Sequence, residues 1–382
     1  MSWQSCRLGD VLTLKRGHDL PEHSRQEGDV PVVSSSGITG RHKEAKAKAP
    51  GVVTGRYGTI GEVFYMEEDY WPLNTALYVI DFKGNDPRFS AYFLRNVLKG
   101  YKSEKAAVPG VDRNVLHEIK VRAPDLATQR YITAILTAYD DLIENNRRRM
   151  ALMEDSARLL YREWFVRLRF PGHEHTRIVD GVPEGWERRA LVDSCATLED
   201  GDWIESKDQG GEDYRLLQIS NIGMNEFVET GNFRYVTEQT FKRLRCREIL
   251  PGHILISRMP KPIGRAWLVT DLPWKVITAV DGAILVPNAA VADPYFLIHH
   301  LNSPGNIEQC EHRAVGATRP RISRRELASL PVLLPPLTVQ TGFREVVEPM
   351  NSQRANLYRQ NEKLRAARDL LLPRLMSGHI AV

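Results

Sequence analysis

The sequence predicts an α+β chain: two mixed α/β domains, each followed by a long helix, with the two helices packed as an antiparallel coiled coil. The whole then carries an internal pseudo-two-fold repeat. Three observations predict this. The chain repeats itself, each copy holds short β-branched runs bounded by Gly and Pro, and each copy ends in a long stretch with apolar residues at heptad spacing.

The repeat is read segment by segment. Trp3-x4-Leu8-x-Asp10 followed by Gly17 matches Trp186-x4-Leu191-x-Asp193 followed by Gly201. Val32 to Gly40 faces Leu217 to Asn225, and Pro50 to Phe64 faces Pro251 to Trp267, pairing Arg56 with Arg258 and Gly61 with Gly264. Asp86 to Leu94 faces Asp293 to Leu301, two short helices each opened by Asp-Pro. Ile119 to Gln129 faces Leu330 to Gln340. The offset grows along the chain because the second copy has longer loops, where insertions are tolerated. The strand-rich domains are placed at residues 1–125 and 171–336, and the helical regions at 126–170 and 337–382.

From Gln129 to about Phe165 two seams run along one helix face: Ile132, Tyr139, Asn146, Met153, Leu160 and Leu136, Ile143, Met150, Ala157, Trp164. The second helix has one apolar seam, Phe343, Met350, Leu357, Leu364, Leu371, and a mixed companion, Val347, Arg354, Asn361, Arg368, Leu375. Asn146 and Asn361 interrupt the apolar pattern; such residues either fix register in a coiled coil or mark exposed positions. Pro349 removes a backbone donor and predicts a kink or restart, and Pro373 and Gly378 mark the helix end. About 35 helical residues span roughly 50 Å, so the pair suits a spacer.

Composition narrows the function. The formal net charge is +4, from 52 Lys and Arg against 48 Asp and Glu, so a nucleic-acid surface requires local clustering of charge. No stretch approaches the roughly 18 apolar residues that cross a bilayer. The opening MSWQSCRLGD has no apolar signal core, so a cytoplasmic protein is expected. Cys6, Cys195, Cys246 and Cys310 lack CxxC or zinc spacing and are expected as reduced thiols, with no metal site. No phosphate loop, HExxH or Asn-Pro-Pro-aromatic motif is present, so no catalytic residue is assigned. Asp140, Asp141 and Glu144 are expected as a solvated or partner-facing acidic patch, and the His173/His175 and His299-His300 pairs as satisfied or exposed histidines. Arg147-Arg148-Arg149 lies mid-helix, suited to partner binding or solvation more than to DNA.

The layout resembles the specificity subunits of Type I restriction–modification systems over essentially the whole chain. Pro124 to Val166 looks like that family's central helix, Leu371 to Val382 is similar to its terminal Leu-Leu-Pro-(Arg/Lys)-Leu-Met-Ser-Gly signature, and Gly252 to Val269 looks like a recognition-domain core. The resemblance implies two target recognition domains, each reading one half of a split double-stranded DNA site, and helices that bind two methyltransferase subunits and, through them, restriction subunits. It implies no cofactor on this chain: S-adenosylmethionine belongs to the methyltransferase partner, and ATP and Mg to the restriction partner. The competing readings are a structural coiled-coil adaptor and a DNA methyltransferase or nuclease with unrecognised motifs.

DNA reading draws on side chains that grip phosphates or pair with base edges. In the first domain the expected contacts are Ser34, Ser35, Arg41, Lys43, Arg56, Tyr57 and Arg113; in the second, Asn221, Arg258, Lys261, Arg265, Arg319 and Arg321. Arg56 and Arg258 lead because the same residue recurs at the end of the same strand in both copies. The alternative for each is a salt bridge inside its domain. Lys43, Lys46 and Lys48 are equally readable as a solvated loop.

Overall fold

The computed structural model describes residues 3–57, 61–99, 101 and 110–380. Residues 58–60 of the Pro50–Phe64 repeat segment and 381–382 of the terminal motif lie outside these. The chain divides into two compact units, Met1–Arg148 with Leu357–Val382, and Arg149–Asn356. The division falls inside the two long helices, not at their ends, because each domain packs on one end of each helix.

The first unit holds β1 (Trp3–Arg7), α1 (Leu8–Val11), β2 (Thr13–Arg16), β3 (Val30–Ser34), β4 (Gly37–His42), β5 (Gly51–Gly55), β6 (Val63–Met66), β7 (Trp71–Pro72), β8 (Ala76–Asp81), α2 (Pro87–Lys99), α3 (Arg113–Glu118) and β9 (Lys120–Pro124). Next comes α4 (Leu126–Tyr161). An antiparallel sheet has the order β2-β8-β5-β6, a second has β4-β3-β7 with β3 and β7 parallel, and β1 pairs with β9. The Val-rich segments Val52-Val53 and Val32-Val33 become strands because β-branched side chains pack well on a pleated surface, and all four are fully buried. Pro87 opens α2, where the Asp86 carboxylate accepts the Phe89 N–H at 2.7 Å. The core joins Leu8, Val52, Leu77, Phe89 and Leu94 to Ile132 and Leu136 of the long helix.

The second unit repeats this plan. It holds the hairpin β10 (Ile178–Val179) and β11 (Val182–Pro183), then β12 (Glu187–Ala190), β13 (Cys195–Asp200), β14 (Tyr214–Leu217), β15 (Tyr235–Val236), α5 (Glu238–Leu244), β16 (Ile254–Ser257), β17 (Ala266–Leu268), β18 (Val276–Thr278) and β19 (Gly282–Pro287). After these come α6 (Pro294–Leu301), α7 (Pro304–Arg313), α8 (Arg324–Ala328), β20 (Pro331–Leu334) and α9 (Leu337–Met376). The sheet order β13-β19-β16-β17 mirrors β2-β8-β5-β6, and β15-β14-β18, with β14 and β18 parallel, mirrors β4-β3-β7. The β12–β20 pair mirrors β1–β9. The core gathers Tyr161, Phe165, Trp186, Phe296, Phe343 and Val347.

The matched residues have matched jobs. A Cβ on Gly17 would stand 2.1 Å from the Leu73 carbonyl oxygen, and one on Gly201 2.3 Å from that of Ala279, so both positions admit only glycine. Asp10 accepts the Arg7 N–H at 2.8 Å and Asp193 accepts the Ala190 N–H at 3.1 Å, each closing the turn that buries Leu8 or Leu191. Gln129 accepts the Asp86 N–H at 3.0 Å and donates to the Pro124 carbonyl at 2.9 Å. Gln340 does the same with Asp293 at 2.8 Å and Pro335 at 2.7 Å. Each buried glutamine ties the start of a long helix to the domain before it.

Both units pair the helices antiparallel. In the first unit Asp140 meets Arg368 and Asn146 meets Asn361; in the second Glu154 meets Arg354 and Trp164 meets Phe343. Asn146 and Asn361 are both about 1% exposed, and Asn146 Nδ2 donates to Asn361 Oδ1 at 2.9 Å. The mixed seam of the second helix is therefore matched by polar partners on the first. Asp140 departs from the expected exposed patch: it binds Arg368 and accepts the Tyr92 hydroxyl, while Glu144 faces outward and pairs with Arg147 and Arg148. The helix does not restart at Pro349. The helix α9 runs through it, and Glu345, whose carbonyl loses its donor, is exposed like Pro349 itself, so water can reach that carbonyl. The first helix is α-helical to Tyr161 and continues as a single wider helical turn over Arg162–Val166, reaching the expected end near Phe165.

Candidate nucleic-acid interface

Positive charge in the second domain collects in an open groove of about 950 Å³. Arg258 reaches it from the end of β16, Arg319 and Arg321 from the segment before α8, and Arg324 and Arg325 from the first turn of α8. An antiparallel bridge between Val315 and Arg321 folds that segment back, and the Ser323 hydroxyl caps α8 by accepting the Glu326 N–H at 3.1 Å. Asp200, at the end of β13, is the carboxylate among these groove residues, so the groove is strongly cationic.

The expected contacts sort into two groups. Ser34, Asn221, Arg258 and Arg265 were expected to reach DNA, but all four are engaged inside their domains. Ser34 is buried, donates to the Gly37 carbonyl at 3.2 Å and accepts the Ser36 N–H at 3.1 Å, bracing the β3–β4 turn. Asn221 is buried, accepts the Gln218 N–H and donates to the Val228 carbonyl, both at 2.9 Å. Arg265 donates to the carbonyls of Ile222, Ile219, Pro260 and Pro262, and burial pushes its guanidinium pKa down. Arg258 is 3% exposed, sits 2.9 Å from Asp200 and donates to the Val280 carbonyl at 2.6 Å. For Arg258 the internal salt bridge holds. A guanidinium this buried needs a fixed counter-charge, and Asp200 supplies it.

The second group is accessible. Arg41, Lys43, Tyr57, Arg113, Lys261 and Arg319 are exposed, and Ser35, Arg56 and Arg321 are half-exposed. Ser35 sits at the tip of the β3–β4 hairpin and Arg41 on β4, bonded to the Asp29 carbonyl. Arg56 lies 4.6 Å over the Tyr57 ring. Lys261 pairs with Glu311 at 2.8 Å and Arg321 with Asp281 at 3.1 Å, exposed pairs that a phosphate can displace at little cost. Lys46 covers the Trp71 ring and Lys48 pairs with Asp69, so that loop is partly tied down. The residues sequence reading missed are Arg324 and Arg325. Their signal is the arginine-dense run from Arg319 to Arg325, of which the expected contacts include Arg319 and Arg321.

Among the described residues the buried thiols are held in their unreactive protonated form. Burial raises the thiols of Cys195 and Cys246 to about 11 and that of Cys310 to about 12, which keeps them protonated near neutrality. Among the described residues no group of three or more His, Cys, Asp or Glu side chains could hold a metal ion. His299 is buried against Tyr161 and Phe343, and its pKa is pushed down to about 4 by burial and then by Arg354 and Arg158. Among the described residues no helix is long and apolar enough to cross a membrane.

The fold and the cationic surface define a duplicated α+β protein whose two similar domains are each seated on an antiparallel helix pair. Residues 1–154 match the family model described as the Type I restriction modification DNA specificity domain. The MjaIX type I restriction enzyme specificity subunit of Methanocaldococcus jannaschii is 22% identical over 280 residues, 72% of this chain and 63% of that protein's length. The EcoprrI specificity subunit of Escherichia coli is 26% identical over 141 residues, 35% of each protein. The crystal structure of a Type-I restriction-modification S subunit from M. genitalium shares the fold, with a TM-score of 0.59 over 98% of this chain and 96% of that one at 15% identity. Residues 1–154 thus carry the type I specificity domain, and the relatives the chain resembles are type I restriction enzyme specificity subunits.

Proposed function

We propose that this chain is the DNA-reading subunit of a cytoplasmic Type I restriction–modification complex. Each domain reads one half of a split double-stranded site, and the helices dock two methyltransferase subunits, to which restriction subunits attach. Chemistry then belongs to the partners: S-adenosylmethionine to the methyltransferase, ATP and Mg to the restriction subunit. One observation carries this reading. The two domains share strand order and register yet differ in their exposed loops, which suits similar docking on DNA with different bases read. The arginine-rich groove supports a phosphate-backed contact.

The test combines the purified chain with its methyltransferase. N6-adenine methylation is expected at a two-part motif with a fixed unread gap, and none from the chain alone. Methylation by the chain alone, or a continuous motif, overturns the proposal. The mass of the saturated complex checks for two methyltransferase copies.

A further inference from the structure

We propose that Arg16, Arg56 and Arg113 form a phosphate clamp possessed by the first domain alone, and that Asp200 is what removes it from the second. The inference rests on the DNA-reading function proposed above. Arg16 takes its place through strand register.

In the first domain Arg16 on β2 lies opposite Leu77 on β8, and Leu77 lies opposite Thr54 on β5, two residues before Arg56. In the second, Asp200 on β13 lies opposite Ala283 on β19, and Ala283 lies opposite Ile256 on β16, two residues before Arg258. The frame around the two arginines is the same. The Arg56 N–H donates to the Thr75 carbonyl at 2.9 Å and the Arg258 N–H to the Asp281 carbonyl at 3.0 Å. The Arg56 carbonyl accepts from Val111 at 2.8 Å and the Arg258 carbonyl from Ile322 at 3.2 Å. One residue on, Asp112 and Ser323 cap α3 and α8, whose first residues are Arg113 and Arg324. Arg16 thus corresponds to Asp200, Arg56 to Arg258 and Arg113 to Arg324.

The substitution at the central place reverses the electrostatics. Asp200 lies 2.9 Å from Arg258 and 3.8 Å from Arg324, offsetting the charge of the buried Arg258 from within. The first domain has a third arginine where that carboxylate stands. Among the described residues no carboxylate pairs with Arg16, Arg56 or Arg113, and all three are exposed or half-exposed. Three arginines placed by register at one corner, with no carboxylate paired to them among the described residues, are stabilised by an external anion, and a duplex phosphate fits their forked donors. At this corner, then, the first domain adds to the salt dependence of binding where the second domain's Arg258 does not.

The test measures binding of the full chain to mixed-sequence duplex DNA across a salt series. Arg16→Gln and Arg113→Gln should each reduce the slope of log affinity against log salt by about one unit. Arg16→Asp places the second domain's acid beside Arg56 and Arg113, and should reduce the slope by about two to three units. Asp200→Asn should change it in the opposite direction. Because Asp200 neutralises a buried arginine, the exposed Arg16 position carries the decisive arm should the Asp200 variant misfold. A wild-type slope in folded Arg16→Asp protein overturns the clamp and leaves DNA reading intact. Failure of the wild-type chain to bind duplex at low salt overturns the proposed function and the clamp with it.

Discussion

Arg258 and Arg56 occupy one position in two copies of a fold and have opposite fates. Arg258→Ala should destabilise the second unit by about 3 kcal/mol, because it strips Asp200 of its main partner and empties a buried site. Arg56→Ala should leave stability near wild type and lower the salt slope of DNA binding by about one, as the loss of one phosphate contact requires. Denaturant melts beside binding isotherms separate these outcomes, and an Arg258→Ala protein of wild-type stability would reject the brace. His299 makes a second residue-scale prediction. Its pKa is about 4 when folded against the ordinary 6.5, so on acidification the unfolded chain takes up the proton first. Its contribution is intact above about pH 6.5 and is lost as pH falls from there toward 4, amounting to about 3 kcal/mol. Glu154, Asp202 and Asp293, whose carboxyl pKa values burial pushes up, act in the opposite sense. His299→Gln should therefore flatten the fall of Tm with acid over that range; an unchanged pH profile would mean that the imidazole is not held neutral.

At the scale of elements, the antiparallel helices are keyed by polar pairs set in apolar seams. Asn361 also donates to the Ile143 carbonyl at 3.2 Å, so removing either asparagine leaves its partner's amide buried with fewer bonds. Asn146→Leu or Asn361→Leu alone should cost about 1–3 kcal/mol, and the double variant should recover most of that loss. Thermal melts of the two singles and the double test this, and additive losses would show that the pair is not coupled. The sequence made both asparagines visible as breaks in a heptad pattern. It left open whether they faced each other, since that depends on the relative stagger of two helices far apart in the chain. The same limit hid Asp140–Arg368 and Glu154–Arg354, whose polar residues look like a weak seam until the partner helix is known.

For the whole molecule, the spacer role that the length of the helix pair suits would join helix length to DNA spacing. A helix rises about 1.5 Å per residue and DNA about 3.4 Å per base pair. Because Asn146 faces Asn361, four residues inserted after Asn146 need four more inserted before Asn361 to keep the polar pairs in register. The paired insertion should lengthen the preferred gap by one or two base pairs, with some loss of affinity from the added rotation, and methylome sequencing reads the gap directly. An unchanged gap with full activity would show that the helices do not set it. The sequence by itself determined the duplication, both long helices and the repeated Gly17/Gly201, Asp10/Asp193 and Gln129/Gln340, because local propensity and repeated spacing leave a mark on the chain. Only the tertiary structure decided which arginines face outward. Arg56, Arg258 and Arg265 look alike as letters. One is open to solvent, one is neutralised by Asp200 and one is bonded to backbone carbonyls, since strand pairing brings together charges that lie far apart in sequence, and burial makes each uncompensated charge too costly to keep.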